Sequence, residues 1–304
     1  MNPETKLLRS WMFVPGNRQR MVEKALALTN VDAVMFDIED GVAPAEKEAA
    51  RQQIAASLVQ LHERKQADPA IRTPARYVRI NAIGHDRMYA DLADIVQAEL
   101  EGLVLPKVET PDQVKVVEHL LDRHEHGAKI PRGHIRLLVA IESPRGLLDA
   151  FRIATASPRV IGLIFGAEDF GRELGLPLRR EGEARDLLHA RSTLVTVAAA
   201  AHVQAVDGVW PDLEDTGGLQ QFAVQSRRLG FTGMSLIHPS QIDAVNAVFT
   251  PTADEIAYCR EVVQAFEDAQ ARGEGAIAFR GQLIDPPIVE RARRTLALAG
   301  SLGL

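Results

Sequence analysis

The feature that most constrains this 304-residue chain is a pair of uninterrupted apolar runs that each break off into acid. Residues 137–141 end in Glu142-Ser143-Pro144, and residues 160–165 end in Gly166-Ala167-Glu168-Asp169-Phe170. Short runs of this kind, rich in β-branched residues and without polar alternation, predict strands buried on both faces of a parallel sheet. Between them, Leu147, Leu148, Phe151, Ile153 and Ala154 recur at helical spacing. The segment therefore reads as strand–helix–strand. Parallel strands share a direction, so Glu142 and Asp169 leave the same edge of the sheet, the carboxyl edge where α/β folds bind ligands.

The unit recurs along the chain. Strand-length apolar runs also occupy 11–14, 33–38, 77–80, 102–105, 205–209 and 233–237. Amphipathic stretches over 18–28, 45–61, 87–98, 111–121, 145–155, 184–203 and 218–229 separate them. Eight alternations predict an α/β fold of the (β/α)8 TIM-barrel type, ahead of a doubly wound open sheet with its switch point. Thr110-Pro111 places proline at a first helical position, and residues 240–249 supply the eighth helix. We take 1–250 as the barrel and 251–304 as a C-terminal extension. The extension opens with a Thr252-Ala253-Asp254-Glu255 capping box and closes with a helix over about 289–298. A tail of this size either folds back on its own barrel or reaches a neighbouring subunit.

A net charge of −6 argues against general nucleic-acid binding, so any anion site has to be local. The single cysteine, Cys259, excludes an internal disulfide and reads as a half-buried helix residue. Neither a signal-peptide core nor an apolar run of membrane-spanning length is present, which predicts a cytoplasmic protein without membrane contacts.

Polar residues gather at the strand ends: Asn17-Arg18, Asp37, Glu39 and Asp40, Arg79 and Asn81, Lys107, Glu142, Asp169, and His238. Asp37 and Asp40 serve either as caps of the next helix or as functional acids, and Arg79 either pairs with one of them or binds a ligand. Lys107, beside Pro106, reads as a surface residue. Asp207, Asp212, Glu214 and Asp215 after the seventh run read as a solvated loop. Glu142 and Asp169 would repel each other in a desolvated mouth, which favours a hard divalent cation, Mg²⁺ or Mn²⁺, between them. A general acid–base dyad is the competing reading.

Six segments in order carry a resemblance: 13–18 (Phe-Val-Pro-Gly-Asn-Arg), 36–41 (Phe-Asp-Ile-Glu-Asp-Gly), 78–81 (Val-Arg-Ile-Asn), 141–144 (Ile-Glu-Ser-Pro), 166–170 (Gly-Ala-Glu-Asp-Phe) and 237–239 (Ile-His-Pro). Together they resemble the citrate lyase β-subunit-like family, which includes malyl-CoA and citramalyl-CoA lyases, within the HpcH/HpaI aldolases of the phosphoenolpyruvate/pyruvate barrel superfamily. The resemblance implies Glu142 and Asp169 as Mg²⁺ ligands and Arg79 as the residue holding the keto-acid oxygens. It implies Asp285 as an acid/base that reaches a neighbouring subunit's site within a homotrimer or hexamer. Glu39 and Asp40 join Arg79 and Asp285 as candidate catalytic residues. Phe13, Arg18 and Lys24, with Ile237 and His238 of the Ile-His-Pro segment, become the candidate coenzyme A contacts. The loop over 175–183 follows the metal acid and is expected to cover the site.

The implied activity is carbon–carbon cleavage of a short 3-hydroxy-dicarboxylyl-CoA thioester to an acyl-CoA and a keto acid, or the reverse condensation. Alternatives are malate-synthase-like or thioesterase chemistry on the same substrates, a class II aldolase acting on free hydroxy-keto acids, and a β subunit that acts only on a carrier-protein-bound substrate.

Overall fold

The computed structural model describes residues 7–177 and 184–304. The chain divides into two compact units, Met1–Asn246 and Ala247–Leu304.

The first unit is a closed barrel of parallel strands in chain order. The strands are β1 (Ser10–Pro15), β2 (Ala33–Asp37), β3 (Ala75–Arg79), β4 (Gly102–Leu105), β5 (Arg136–Ile141), β6 (Val160–Phe165), β7 (Gln204–Asp207) and β8 (Gly233–Leu236). β8 pairs back onto β1 through Trp11 and Ser235, closing the circle. The expected (β/α)8 architecture is present. The helices are α1 (Gln19–Leu26), α2 (Lys47–Ala67), α3 (Asp86–Ile95), α4 (Pro111–Gly127), α5 (Pro144–Leu148), α6 (Ala150–Ala154), α7 (Ala167–Leu174), α8 (Leu188–Ala200), α9 (Thr216–Leu229) and α10 (Ile242–Phe249).

Two helices depart from expectation. The single helix expected over 145–155 is split at Asp149 into α5 and α6, and an extra helix, α7, begins directly after β6. Asp169 therefore lies in the first turn of a helix rather than in a loop.

Alternate residues of each strand face the interior, the period-2 geometry of any strand. Trp11, Met35, Tyr77, Leu138, Ala140, Ile164 and Val206 fill the interior as one buried cluster. Trp11 stacks edge-to-face on Tyr77, ring centres 4.9 Å apart, and donates its indole N–H to the Leu8 carbonyl at 3.0 Å. β5 and β6 carry an irregularity: Leu137 pairs with Val160 but Leu138 pairs with Gly162, so Ile161 is a bulge. Beyond it Gly162, Ile164 and Gly166 occupy alternate positions, with Gly162 against Leu138 and Gly166 against Glu142.

The second unit contains α11 (Ala253–Ala271), a hairpin of β9 (Ile277–Phe279) and β10 (Gln282–Ile284), and α12 (Pro286–Ser301). The Thr252/Glu255 capping box is formed. Val262, Phe266, Ile284, Val289 and Ala292 make its core. Arg280 and Gly281 both take positive φ, 47° and 78°, as a tight two-residue hairpin turn requires. Among the described residues no helix is long and apolar enough to cross a membrane.

Candidate active site

A cavity of about 330 Å³ opens at the carboxyl ends of the strands. Its polar lining comes from Asp37, Arg79, Glu142, Glu168 and Asp169, and its apolar wall includes Phe13, Val104, Ala140 and Ile164. Of the candidate residues, the fold brings Phe13, Arg79, Glu142, Asp169 and Ile237 to this one cavity.

Arg79 closes β3 and meets Asp37, the last residue of β2, directly across the sheet register. The pair is bidentate, Nε to Oδ1 at 2.8 Å and Nη2 to Oδ2 at 2.6 Å. Asp37 also accepts the amide N–H groups of Glu39 (2.9 Å) and Gly41 (2.8 Å). It thus caps its own loop and holds Arg79, rather than capping α2, which starts ten residues further on at Lys47. The guanidinium lies 4.8 Å above the Phe13 ring centre, a cation–π contact that fixes its plane. Asp37 and Glu39 raise the Arg79 pKa further, against the opposing effect of burial, so it stays charged at any working pH.

Glu142 leaves the end of β5 and is 6% exposed. The chain behind it turns sharply because Ser143 caps α5 by accepting the Gly146 amide at 3.0 Å, and Pro144 starts the helix. Glu142 accepts the Lys107 amide at 3.1 Å. Burial pushes its carboxyl from 4.5 up to about 7; Arg79 and Lys107 oppose the rise, while Glu39 and Asp169 add to it. Gly166 is required beside it, because a Cβ there would stand 2.3 Å from Glu142 Cγ. Asp169 pairs with Arg172 at 2.6 Å within α7.

Among the described residues no group of three or more His, Cys, Asp or Glu side chains is gathered to hold a metal. Two carboxylates suffice for Mg²⁺, which keeps several waters or substrate oxygens. The donor set fits such an ion: oxygen ligands only, one of them raised first by burial and further by the negative charges of Glu39 and Asp169. A divalent cation relieves both penalties.

Lys107 differs from the sequence expectation. It is no bystander on the surface: Nζ bridges Glu39 Oε1 and Asp40 Oδ2, each at 2.6 Å. Its partners lie 68 and 67 residues away, so no local pattern points to them. Burial works to raise the Asp40 pKa, but the hydrogen bond and charge of Lys107, with the charge of Arg79, outweigh it and leave the pKa below the ordinary value. Lys107 also has φ +52°, strained for a residue with a side chain.

The remaining candidates stand elsewhere. Arg18 precedes α1 and Lys24 sits in its last turn, both exposed. His238 caps the turn after β8, its Nδ1 within 3.2 Å of the Ser240 amide and 2.8 Å of the Ser240 hydroxyl. Asp285 belongs to the second unit and caps α12, accepting the Ile288 amide at 3.3 Å. Asp207 is not part of a solvated loop: it is fully buried and accepts Arg191 Nη2 at 2.6 Å. Asp212 and Asp215 are exposed, and Asp215 caps α9. Residues 178–183 of the expected covering loop lie outside the described residues.

Comparison with known proteins aligns with this geometry. Residues 9–239 match the family model for HpcH/HpaI aldolase/citrate lyase. The citrate lyase subunit beta of Escherichia coli K12 is 36% identical over 301 residues, covering 99% of this chain and 96% of the relative. The mitochondrial citramalyl-CoA lyase of Rattus norvegicus is 33% identical over 304 residues, covering 97% and 86%. The crystal structure of CitE from Mycobacterium tuberculosis, in complex with magnesium, acetoacetate and coenzyme A, superimposes with a TM-score of 0.74 at 32% identity, covering 97% of this chain and 98% of that one.

Proposed function

The chain belongs to the HpcH/HpaI aldolase/citrate lyase family, and from that premise we propose that it is a Mg²⁺-dependent carbon–carbon lyase. Its substrate is a short 3-hydroxy-dicarboxylyl-CoA thioester of malyl, citramalyl or citryl type, cleaved to an acyl-CoA and a keto acid, or formed from them in reverse. One observation carries the reading: a buried carboxylate raised to about 7 shares a cavity with a second carboxylate and with a permanently charged arginine.

Glu142 and Asp169 would hold the cation, which when bound supplies Lewis-acid polarisation of the substrate's hydroxyl and carboxylate oxygens. Arg79 binds the hydroxyl oxygen of the keto-acid half and stabilises the negative charge it carries once its proton is removed, before the carbonyl forms; its plane is already set by Asp37 and Phe13, so little reorganisation accompanies the reaction. Val104, Ala140 and Ile164 keep the cavity wall apolar, which strengthens these charge interactions. Arg18 and Lys24, exposed on the first loop and helix, meet the coenzyme A phosphates, with Phe13, Ile237 and His238 near the arm of the coenzyme. Asp285 acts as acid/base from a neighbouring copy of the chain in a homotrimer or hexamer. Mixing inactive Glu142→Gln and Asp285→Asn proteins then restores part of the activity, and no recovery on subunit exchange removes that role.

The deciding assay offers purified protein and Mg²⁺ a panel of malyl-, citramalyl-, 3-methylmalyl- and citryl-CoA, read by mass spectrometry. Acyl-CoA plus keto acid, lost on adding EDTA, is the expected result. Free CoA with intact hydroxy acid means hydrolysis instead. Silence across the panel, with Mg²⁺ still bound, points to a carrier-protein-bound substrate or a missing partner subunit.

A further inference from the structure

Arg79 carries five N–H donors, and the carboxylates around it do not take them evenly. Asp37 takes Nε and Nη2 at 2.8 and 2.6 Å. Nη1 stands 3.5 Å from Glu39 Oε2, beyond hydrogen-bond length. Glu39 is only 3% exposed, so its attraction to the guanidinium is little screened. Something must keep it from closing the last few tenths of an ångström.

Two contacts do so. The Asp40 amide donates to Glu39 Oε2 at 2.8 Å, and Lys107 Nζ pulls on Oε1 at 2.6 Å. Lys107 is itself held from two sides. Asp40 Oδ2 grips the ammonium at 2.6 Å, and the backbone, turned through φ +52°, aims its N–H at Glu142 Oε2 at 3.1 Å. A strained conformation kept at a binding cavity is the pattern of a residue fixed for position.

We propose that Lys107 is a positioning residue that holds Glu39 off Arg79, so that Nη1 stays available for the substrate's carboxylate or nascent carbonyl oxygen. Without the ammonium, Glu39 swings onto Nη1 and neutralises the arginine that the substrate needs. The inference rests on the reading of Arg79 as a ligand of substrate oxygens.

The test measures keto-acid binding directly, by calorimetric titration of pyruvate, glyoxylate and oxaloacetate into the Mg²⁺-loaded protein. Lys107→Met keeps the stem and a backbone of the same left-handed tolerance, and loses only the charge. It is expected to weaken keto-acid binding at least tenfold while Mg²⁺ affinity stays within about twofold, since the amide that meets Glu142 is retained. Lys107→Arg, which still spans two carboxylates, is expected to bind within about threefold of the parent. The double variant Lys107→Met/Glu39→Gln is expected to recover most of the lost affinity, because an amide does not compete for the guanidinium. A thermal melt on each variant separates loss of fold from loss of binding.

Lys107→Met binding as tightly as the parent overturns the proposal. So does a double variant no better than the single one, or a loss confined to Mg²⁺ affinity. A parent protein that binds no keto acid and cleaves no thioester overturns the functional reading instead.

Discussion

At opposite ends of the same barrel, a buried arginine meets buried carboxylates, and the two clusters differ in how completely they are satisfied. Arg159 lies just before β6, at the amino end of the strands. Nη1 donates to Glu125 Oε1 (2.8 Å) and the Ile135 carbonyl (2.9 Å), while Nη2 donates to Glu125 Oε2 and Asp122 Oδ1, both at 2.6 Å. Glu125 also accepts the amides of Gly133 and Ile135 at 2.9 and 2.8 Å. Burial alone would raise its pKa, yet these bonds lower it. At the carboxyl end Glu142 is also buried, receives one amide, and sits near 7. The chemistry of the two ends is the same. One carboxylate has its bonding capacity filled by the protein, and the other has capacity left for something else. That difference separates a structural charge from a functional one.

The comparison breaks first at Glu142. Glu142→Gln is expected to lower Mg²⁺-dependent turnover by about a thousandfold or more, on the order of 4 kcal/mol of transition-state stabilisation, while the metal-free protein melts no lower than the parent. A melting temperature that collapses would place Glu142 with Glu125 as a structural charge. The mirror experiment is Arg159→Ala. Removing one partner of a buried pair strands Glu125 and is expected to cost about 3–5 kcal/mol in urea unfolding. Activity per folded molecule should be unchanged, and a matching loss of kcat would show that the two ends are not independent.

The two acids also predict opposite pH behaviour. Glu142 holds its proton more tightly folded than unfolded, so the stability it contributes is full below 4.5 and is lost as pH rises to about 7. The span corresponds to roughly 3 kcal/mol in metal-free protein, and added Mg²⁺ should offset the loss at the high end. Glu125, whose folded pKa is lowered, contributes stability above its ordinary range that disappears on acidification below it. Unfolding curves of the two variants against pH, with and without Mg²⁺, resolve the two windows; parallel slopes would remove the distinction. Smallest of all, Gly166→Ala pushes a methyl group into Glu142 Cγ, forces that side chain to shift, and is expected to weaken Mg²⁺ binding about tenfold. Unaltered affinity would mean that Glu142 has room to spare.

Much of this was legible in the chain because strand ends announce themselves. An apolar run that stops at Glu142, or one that carries Arg79 just before its end, marks both a strand and a residue at its mouth. The closed barrel followed from counting such runs. What stayed hidden was pairing across distance. Lys107 looked like a surface lysine because its two carboxylate partners belong to the loop after β2, far away in sequence. Asp207 looked solvated because Arg191, which buries it, comes from the preceding helix. Arg159 and Glu125 gave no local signal either, being 34 residues apart. Periodicity reports which face a residue occupies. It does not report which charge waits on that face.

The extra residue at Ile161 acts like a frameshift written in space. A side chain's face is set by whether its position is odd or even, so one added residue inverts the assignment of everything downstream in that strand. In an open sheet an edge can absorb such an inversion. A closed hoop has no edge, and the inversion has to agree with the neighbours on both sides. The bulge restores agreement, putting Gly166 rather than Phe165 against Glu142. Pairing Ile161 in regular register with Leu138 would instead set Phe165 against Glu142, exchanging glycine for an aromatic ring at the mouth while leaving the composition untouched. The opening beside the acid is in this sense a property of parity, kept by one uncounted residue at the far end of the strand.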